Sequence, residues 1–234
     1  MLANHVLFLD GEALVIDKPA GLPVDRPRDG SLSLENHLDG LTFGFKRWPV
    51  PVHRLDRDTS GCLLLSRNPK AHARLQQAFE QGLVRKRYLA VLEGVVEGEG
   101  GLIDLALAKV STVEDGWRMV GSPEGKASRT HWRLLAVKDG RSFVEFIPET
   151  GRTHQIRVHA LEGLGAAVVG DPVYGAGGGE TLLHAAELTI PRAGKEPIVA
   201  KAPLPARFIA AGFTEADAVA AAVPDAAPET PTDG

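Results

Sequence analysis

His53-Arg54-Leu55-Asp56-Arg57-Asp58-Thr59-Ser60-Gly61 runs directly into an apolar stretch, Cys62-Leu63-Leu64-Leu65, that reads as a strand. The first run places an aspartate, Asp56, between Arg54 and Arg57 at the mouth of that strand. A carboxylate beside cations keeps its charge, because a nearby positive charge favours the ionised form. An ionised carboxylate suits nucleophilic attack better than proton donation. For an arbitrary D-R-D cluster, a surface ion pair would be the simpler reading. The rest of the chain has to decide.

Working outward, Asp-Gly pairs recur where hairpins would turn, at Asp10-Gly11, Asp115-Gly116 and Asp139-Gly140. Asp-Gly between apolar or alternating runs is a strong hairpin signal, since both turn positions tolerate positive φ. Antiparallel sheet is predicted to dominate. Asn68-Pro69 opens a helix that Gly82 stops, with Ala71, Leu75, Ala78 and Phe79 at helical spacing on one face. A second, short helix is predicted from Thr153 to about Glu162. It makes His154 and Arg157 neighbours and sets Gln155 and His159 on another stripe. Thr214-x-x-Asp217 can cap one last short helix. The stretch from Val223 onward is rich in Ala, Pro and acids and is expected to be disordered.

The chain has 234 residues, enough for one domain with a sizeable core, and 44% of them are hydrophobic. One cysteine excludes an internal disulfide framework, and no Cys/His spacing suggests a zinc site. No apolar run approaches membrane-spanning length, and Met1 to Asp10 carries no basic segment of a signal peptide, so a cytoplasmic protein without a membrane partner is expected. The formal net charge is −4. That total hides a strong local bias. Between Lys46 and Arg87 ten basic residues face three acids, whereas Phe213 to Gly234 holds five acids and no Lys or Arg. A basic region flanking a candidate active site is the footprint of phosphate contacts. A solvated helix face explains Arg67, Lys70 and Arg74 equally well.

Further motifs lie in order along the chain: Lys18-Pro19-Ala20-Gly21-Leu22, Lys86-Arg87-Tyr88, Gly151-Arg152-Thr153-His154-Gln155-Ile156-Arg157-Val158-His159, Gly170-Asp171-Pro172-Val173-Tyr174-Gly175 and Leu183-His184-Ala185. With His53 to Gly61 they resemble the RluA-type pseudouridine synthases, over roughly Val6 to Phe208. The departures are small: Asp17, Asp25 and Cys62 stand where relatives often carry Asn, His and Leu. The resemblance implies an α+β catalytic domain over 1–212, a mixed but largely antiparallel sheet with flanking helices and a central active-site cleft. It leaves 213–234 as an acidic tail, and the chain is expected to begin directly at the catalytic domain, without the small helical RNA-binding domain that many relatives carry ahead of it.

It further implies isomerisation of uridines within ribosomal or transfer RNA, on a stem–loop, by a monomer that needs neither cofactor nor metal. Asp56 matches the nucleophile, Tyr88 the tyrosine that stacks on the target base, and Arg157 the basic partner of the aspartate. Arg54 matches the arginine that occupies space left by a flipped nucleotide. Ile156 and Leu183 are expected to wall the pocket. Lys46, Arg47, Arg57, Arg85, Lys86 and Arg152 are the expected RNA contacts; Lys18, His154 and Gln155 are expected to bind phosphate or brace loops. His53 reads as a structural hydrogen-bonder and Cys62 as inert core. Two readings compete. A catalytically silent RNA-binding or ribosome-assembly protein on the same fold would have lost Asp56 or Arg157, and both are present. A metal-dependent hydrolase would use His154, His159, Asp56 and Asp58, but a spacing of five directs the two histidines to different helix faces.

Overall fold

The computed structural model describes residues 2–27, 29–112 and 116–219. Twelve strands are described: β1 (Val6–Leu9), β2 (Ala13–Lys18), β3 (Val50–Pro51), β4 (Ser60–Ser66), β5 (Arg85–Glu93), β6 (Gly100–Asp104), β7 (Leu107–Thr112), β8 (Gly116–Gly121), β9 (Arg129–Lys138), β10 (Arg141–Pro148), β11 (Leu183–Arg192) and β12 (Lys195–Lys201). Ten of them form one sheet in the order β1-β2-β4-β11-β5-β10-β9-β6, with β3 beside β4 and β12 beside β11, while β7 and β8 form a separate ribbon. Every pairing is antiparallel except β4 with β11, so the sheet is mixed and largely antiparallel.

Of the local signals, Asp139-Gly140 turns with positive φ as expected, whereas Asp10-Gly11 turns without it. Asp10 folds back so that its carboxylate accepts from the N–H groups of Glu12 and Ala13, closing the β1–β2 turn. Asp139 and Gly140 both adopt positive φ between β9 and β10. The ribbon β7–β8 pairs as predicted, from Leu107 with Gly121 to Thr112 with Gly116, although Asp115 of its turn lies outside the described residues. Helix α1 (Pro69–Glu80) starts with the Asn68 side chain accepting from the Ala71 N–H at 2.9 Å, and Gly82 follows it at φ +70°.

Alternation along the strands sorts the core onto two faces. One face carries Val15, Cys62 and Leu64 against Ala71, Leu75 and Ala78 of α1. The other carries Leu14, Ile16, Leu63 and Leu65 against Leu34, Leu38, Leu41 and Leu55. A further cluster joins Ala90, Leu92, Val144 and Phe146 to Ile156 and Leu183, and Tyr88 packs against both of the last two. His53 and Cys62 are structural, as expected. The His53 Nε2 accepts the Leu64 N–H at 3.0 Å, and burial pushes the Cys62 thiol up to about 12.

The predicted second helix splits in two: α2 (Gln155–Val158) followed by a wide π-helical turn over His159–Gly163. Two short helices close the described chain, α3 (Ala206–Ala210) and α4 (Glu215–Ala218), the latter with the Thr214/Asp217 capping box. The boundary drawn at residue 213 therefore moves. Phe213 is fully buried against Phe143, and Asp217 pairs with Lys138. An acid- and alanine-rich composition concealed one aromatic anchor. Residues 220–234, which include the segment expected to be disordered from Val223, lie outside the described residues.

Candidate active site

Asp56 sits in the turn that leads into β4, at the edge of the sheet face that carries Leu55 and Tyr88. Leu55, 4% exposed, anchors the chain just before it. Gly61, just after, adopts φ +107°, and a Cβ there would run into the Ala185 carbonyl of the parallel neighbour β11. The Ser60 hydroxyl, held by Arg207 at 2.6 Å, bonds the His184 Nδ1 at 2.7 Å. These contacts fix the start of β4 against β11. From the other side, the Lys18 Nζ donates to the carbonyls of Pro19, Leu22 and Arg57 at 2.8–2.9 Å, and the Gly21 N–H donates to the same Arg57 carbonyl.

Lys18 is fully buried, and burial pushes its ammonium down to about 7 against the opposing pull of Asp58 and Asp56. It braces the loop rather than binding phosphate. Lys18→Met would strand the Pro19 and Leu22 carbonyls and leave the Arg57 carbonyl with the Gly21 N–H alone. Leaving buried polar groups unpaired is costly, and a loss of about 3 kcal/mol in urea unfolding is expected. A midpoint equal to the parent's would mean that other donors replace the ammonium.

Arg157, in α2, reaches Asp56 with Nη1–Oδ2 at 3.2 Å. It is itself gripped by Asp171, with Nε–Oδ2 at 2.6 Å and Nη2–Oδ1 at 2.7 Å. Both side chains of that second pair are buried. The Asp171 Oδ1 also accepts from the N–H groups of Val173 and Tyr174. Burial works against its charge, yet the Arg157 fork and these two N–H groups hold the Asp171 carboxyl below the usual carboxylate range. Arg157 thus links two acids and fixes the side of Asp56 that faces the protein.

The arginines adjacent in sequence do not pair with Asp56. Arg54 turns outward to Asp25 at 2.6 Å, and Arg57 pairs with its neighbour Asp58 at 3.1 Å. Both are solvent-exposed and meet nearer acids there. The cation that matters to Asp56 comes from a segment 101 residues away.

A second network faces the same carboxylate. His154 lies in the left-handed region at φ 54°, and its Nε2 is 3.9 Å from Asp56 Oδ2. The Tyr174 hydroxyl accepts the Met119 N–H and bonds the His154 Nδ1, both at 2.9 Å. Burial lowers the His154 pKa, so the ring favours its neutral form. In the tautomer in which the hydroxyl donates to Nδ1, Nε2 carries the ring proton on the side of Asp56. Trp117 of β8 covers the ring, stacked at 5.1 Å between centroids.

The cleft is also lined by Tyr88, Ile156, Leu183, Lys86, Arg54 and Arg152. Burial pushes the Tyr88 hydroxyl pKa up, and the Asp56 charge adds to this, so the ring enters the cleft as a neutral phenol. Lys86 belongs to the cleft wall rather than to the outer basic surface: its Nζ donates to the Thr150 carbonyl, and burial pushes it down to about 8. Arg152 lies on the rim, donating to the Ala127 carbonyl. Gln155 braces the loop, bonding Thr150, Arg152, Arg129 and Thr130. Lys46, Arg47, Arg57 and Arg85 are exposed and lie outside the cleft lining.

Sequence reasoning gave no role to Asp171, Tyr174 or Trp117. The Gly170–Gly175 motif was the available signal for the first two; nothing local marks Trp117. His159 turns away from His154 to bond Thr130 and Ser128, and no metal-binding group of three His, Cys, Asp or Glu occurs among the described residues.

The arrangement can present a carboxylate, fixed by a buried guanidinium, to a planar group held between an aromatic ring and apolar walls. The chain is similar to known proteins in sequence and in overall fold. The sequence model of the RNA pseudouridylate synthase family matches residues 12–162. An uncharacterised RNA pseudouridine synthase of Zymomonas mobilis is 60% identical over 217 residues, covering 91% of this chain and 99% of that protein. The ribosomal large subunit pseudouridine synthase D of the same organism is 36% identical over 178 residues, 73% of this chain and 56% of that one. The human RNA pseudouridylate synthase domain containing 4 superposes with a TM-score of 0.75 at 26% identity, over 89% of this chain and 91% of that structure.

Proposed function

The chain belongs to the RluA-type RNA pseudouridylate synthase family, and from that premise we propose that it isomerises specific uridines of structured ribosomal or transfer RNA, as a monomer, with Asp56 as the nucleophile. The observation that carries this reading is the chain from the buried Asp171 and Arg157 to the partly exposed Asp56, at one side of a cleft walled by Tyr88, Ile156 and Leu183.

In the reaction the bond between C1′ and N1 of the uridine breaks and a bond between C1′ and C5 forms. The C5 proton leaves and N1 gains one, so atoms and electrons balance without an oxidant or reductant. Whatever bond Asp56 makes to the nucleotide as N1 leaves C1′ breaks again when C5 joins C1′, which returns the free carboxylate, and Arg157 keeps that carboxylate aimed. Tyr88 stacks on the freed base and holds it for the turn that exchanges N1 for C5. The neutral His154 offers a proton-bearing nitrogen beside Asp56, suited to an oxygen of the bound nucleotide. Extruding a stacked base costs a few kcal/mol. Arg54 is suited to fill the vacated space, because its exposed pair with Asp25 contributes little and can open.

The test is the purified protein on total RNA from cells that lack it, read by mapping pseudouridine at nucleotide resolution. New pseudouridine at one or a few discrete sites is expected, and it is expected to persist in excess EDTA when the RNA is kept folded with monovalent salt. No conversion at any uridine would leave the silent RNA-binding reading standing. Activity lost to EDTA and restored by one particular divalent ion would show that the side chains alone do not suffice.

A further inference from the structure

The loop between Leu41 and β3 carries Phe43, Phe45 and Trp48, three aromatic residues exposed at 39%, 39% and 58%. Lys46 and Arg47 lie between them, exposed and without an acid partner among the described residues. Exposed aromatics are ordinarily scattered singly. Here they share one short loop with two unpaired cations.

The loop is built to hold its shape. Leu41 is fully buried at one end, and at the other Pro49 is buried while Val50 pairs with Ser66 at the far end of β4. Between them Arg67, 7% exposed, donates to the carbonyls of Thr42 and Phe43 at 2.9 and 3.0 Å and to that of Asp10 at 2.6 Å. The same guanidinium lies 3.8 Å from the centre of the Phe45 ring. Phe43 adopts φ 43°, uncommon for a residue with a Cβ, and Gly44 follows at φ 83°. A strained residue clamped by a buried arginine fits a preformed platform better than a passive connection.

The loop also faces the right way. Leu41 packs in the cluster that holds Leu55, Leu65 and, at its edge, Tyr88. The loop is therefore anchored, through Leu41, on the sheet face that carries Tyr88. It stands at the opposite end of β4 from Asp56, at about six residues of strand or roughly 20 Å.

We propose that residues 42–48 form a second RNA contact, which stacks unpaired bases on Phe43, Phe45 and Trp48 while Lys46 and Arg47 meet the adjoining phosphates. The proposal rests on the RNA-modifying reading above and deepens it, assigning recognition of single-stranded RNA beyond the target nucleotide. Stacking on aromatic side chains tolerates any base and favours single strands over duplexes, since paired bases hide their faces.

The test compares the parent with Phe43→Gly/Trp48→Ala, the glycine chosen because it accepts the positive φ. Fluorescence anisotropy is measured with a short labelled oligouridine and with a blunt RNA duplex of equal length. The variant is expected to lose roughly tenfold in affinity for the single strand and less than about twofold for the duplex. In the parent, 5-bromouridine in the oligomer is expected to photocrosslink to this loop, a readout that does not depend on the variant folding. Single-strand affinity within about twofold of the parent's, equal losses on both probes, or crosslinks confined to other segments would overturn the proposal. So would a parent dimer that the variant loses while its RNA affinity stays unchanged, which would make the loop a contact between copies. Pseudouridine formation by the parent on total RNA is measured in parallel, so failure of the platform and failure of the reaction give different results.

Discussion

Asp56→Asn is expected to eliminate pseudouridine formation, with a fall of at least about a thousandfold in single-turnover rate and stability within about 1 kcal/mol of the parent's. The amide has the size and shape of the carboxylate, and its oxygen still accepts from Arg157, which stays paired to the buried Asp171. What disappears is the negative charge that attacks. Single-turnover assays on any RNA that the parent modifies, with urea unfolding as the folding control, separate the two effects. A variant that retains a tenth of the parent's rate would remove Asp56 from the nucleophilic role and with it the proposed mechanism.

Much of the fold is legible in the sequence because its signals are local. The Asp139-Gly140 turn needs only two residues that accept positive φ, and the start of α1 needs only Asn68 and Pro69. The parallel pairing of β4 with β11 has no local signature. It joins Ser60 to His184 across most of the chain and rests on the close approach that Gly61 permits. The site divides in the same way. Asp56, Tyr88 and Arg157 were singled out through the motifs they occupy, and the fold brings them to one cleft. Reading Arg54 and Arg57 as the partners of Asp56 used sequence adjacency where side-chain direction decides. Lys86 shows a related limit: charge in a sequence carries no mark of burial, and this lysine lines the cleft while folded against Thr150. The segment from residue 213 misled in the opposite sense, since a polar average hid the buried Phe213.

Arg157→Met has the second large expected effect, and it acts on stability as well as on rate. Breaking a buried ion pair from one side costs about 3–5 kcal/mol, because the remaining charge is left without a partner. Asp171 is that charge, with its side chain fully buried. In the parent its depressed pKa contributes stability that is complete above the unfolded value near 3.8 and is lost as pH falls through the folded value. In Arg157→Met, burial dominates and raises the same carboxyl, so the penalty applies above that range and eases on acidification. The stability gap between parent and variant should therefore be widest near neutral pH and should narrow as pH falls through the variant's raised value towards the parent's lowered one. Adding Asp171→Asn removes the stranded charge, while the asparagine oxygen still accepts from Val173 and Tyr174. The double variant is expected to recover most of the lost stability and none of the activity, since Asp56 still lacks its guanidinium. Recovery of both would reduce Arg157 to a counter-ion for Asp171. Recovery of neither would mean that Arg157 stabilises the fold through something other than charge.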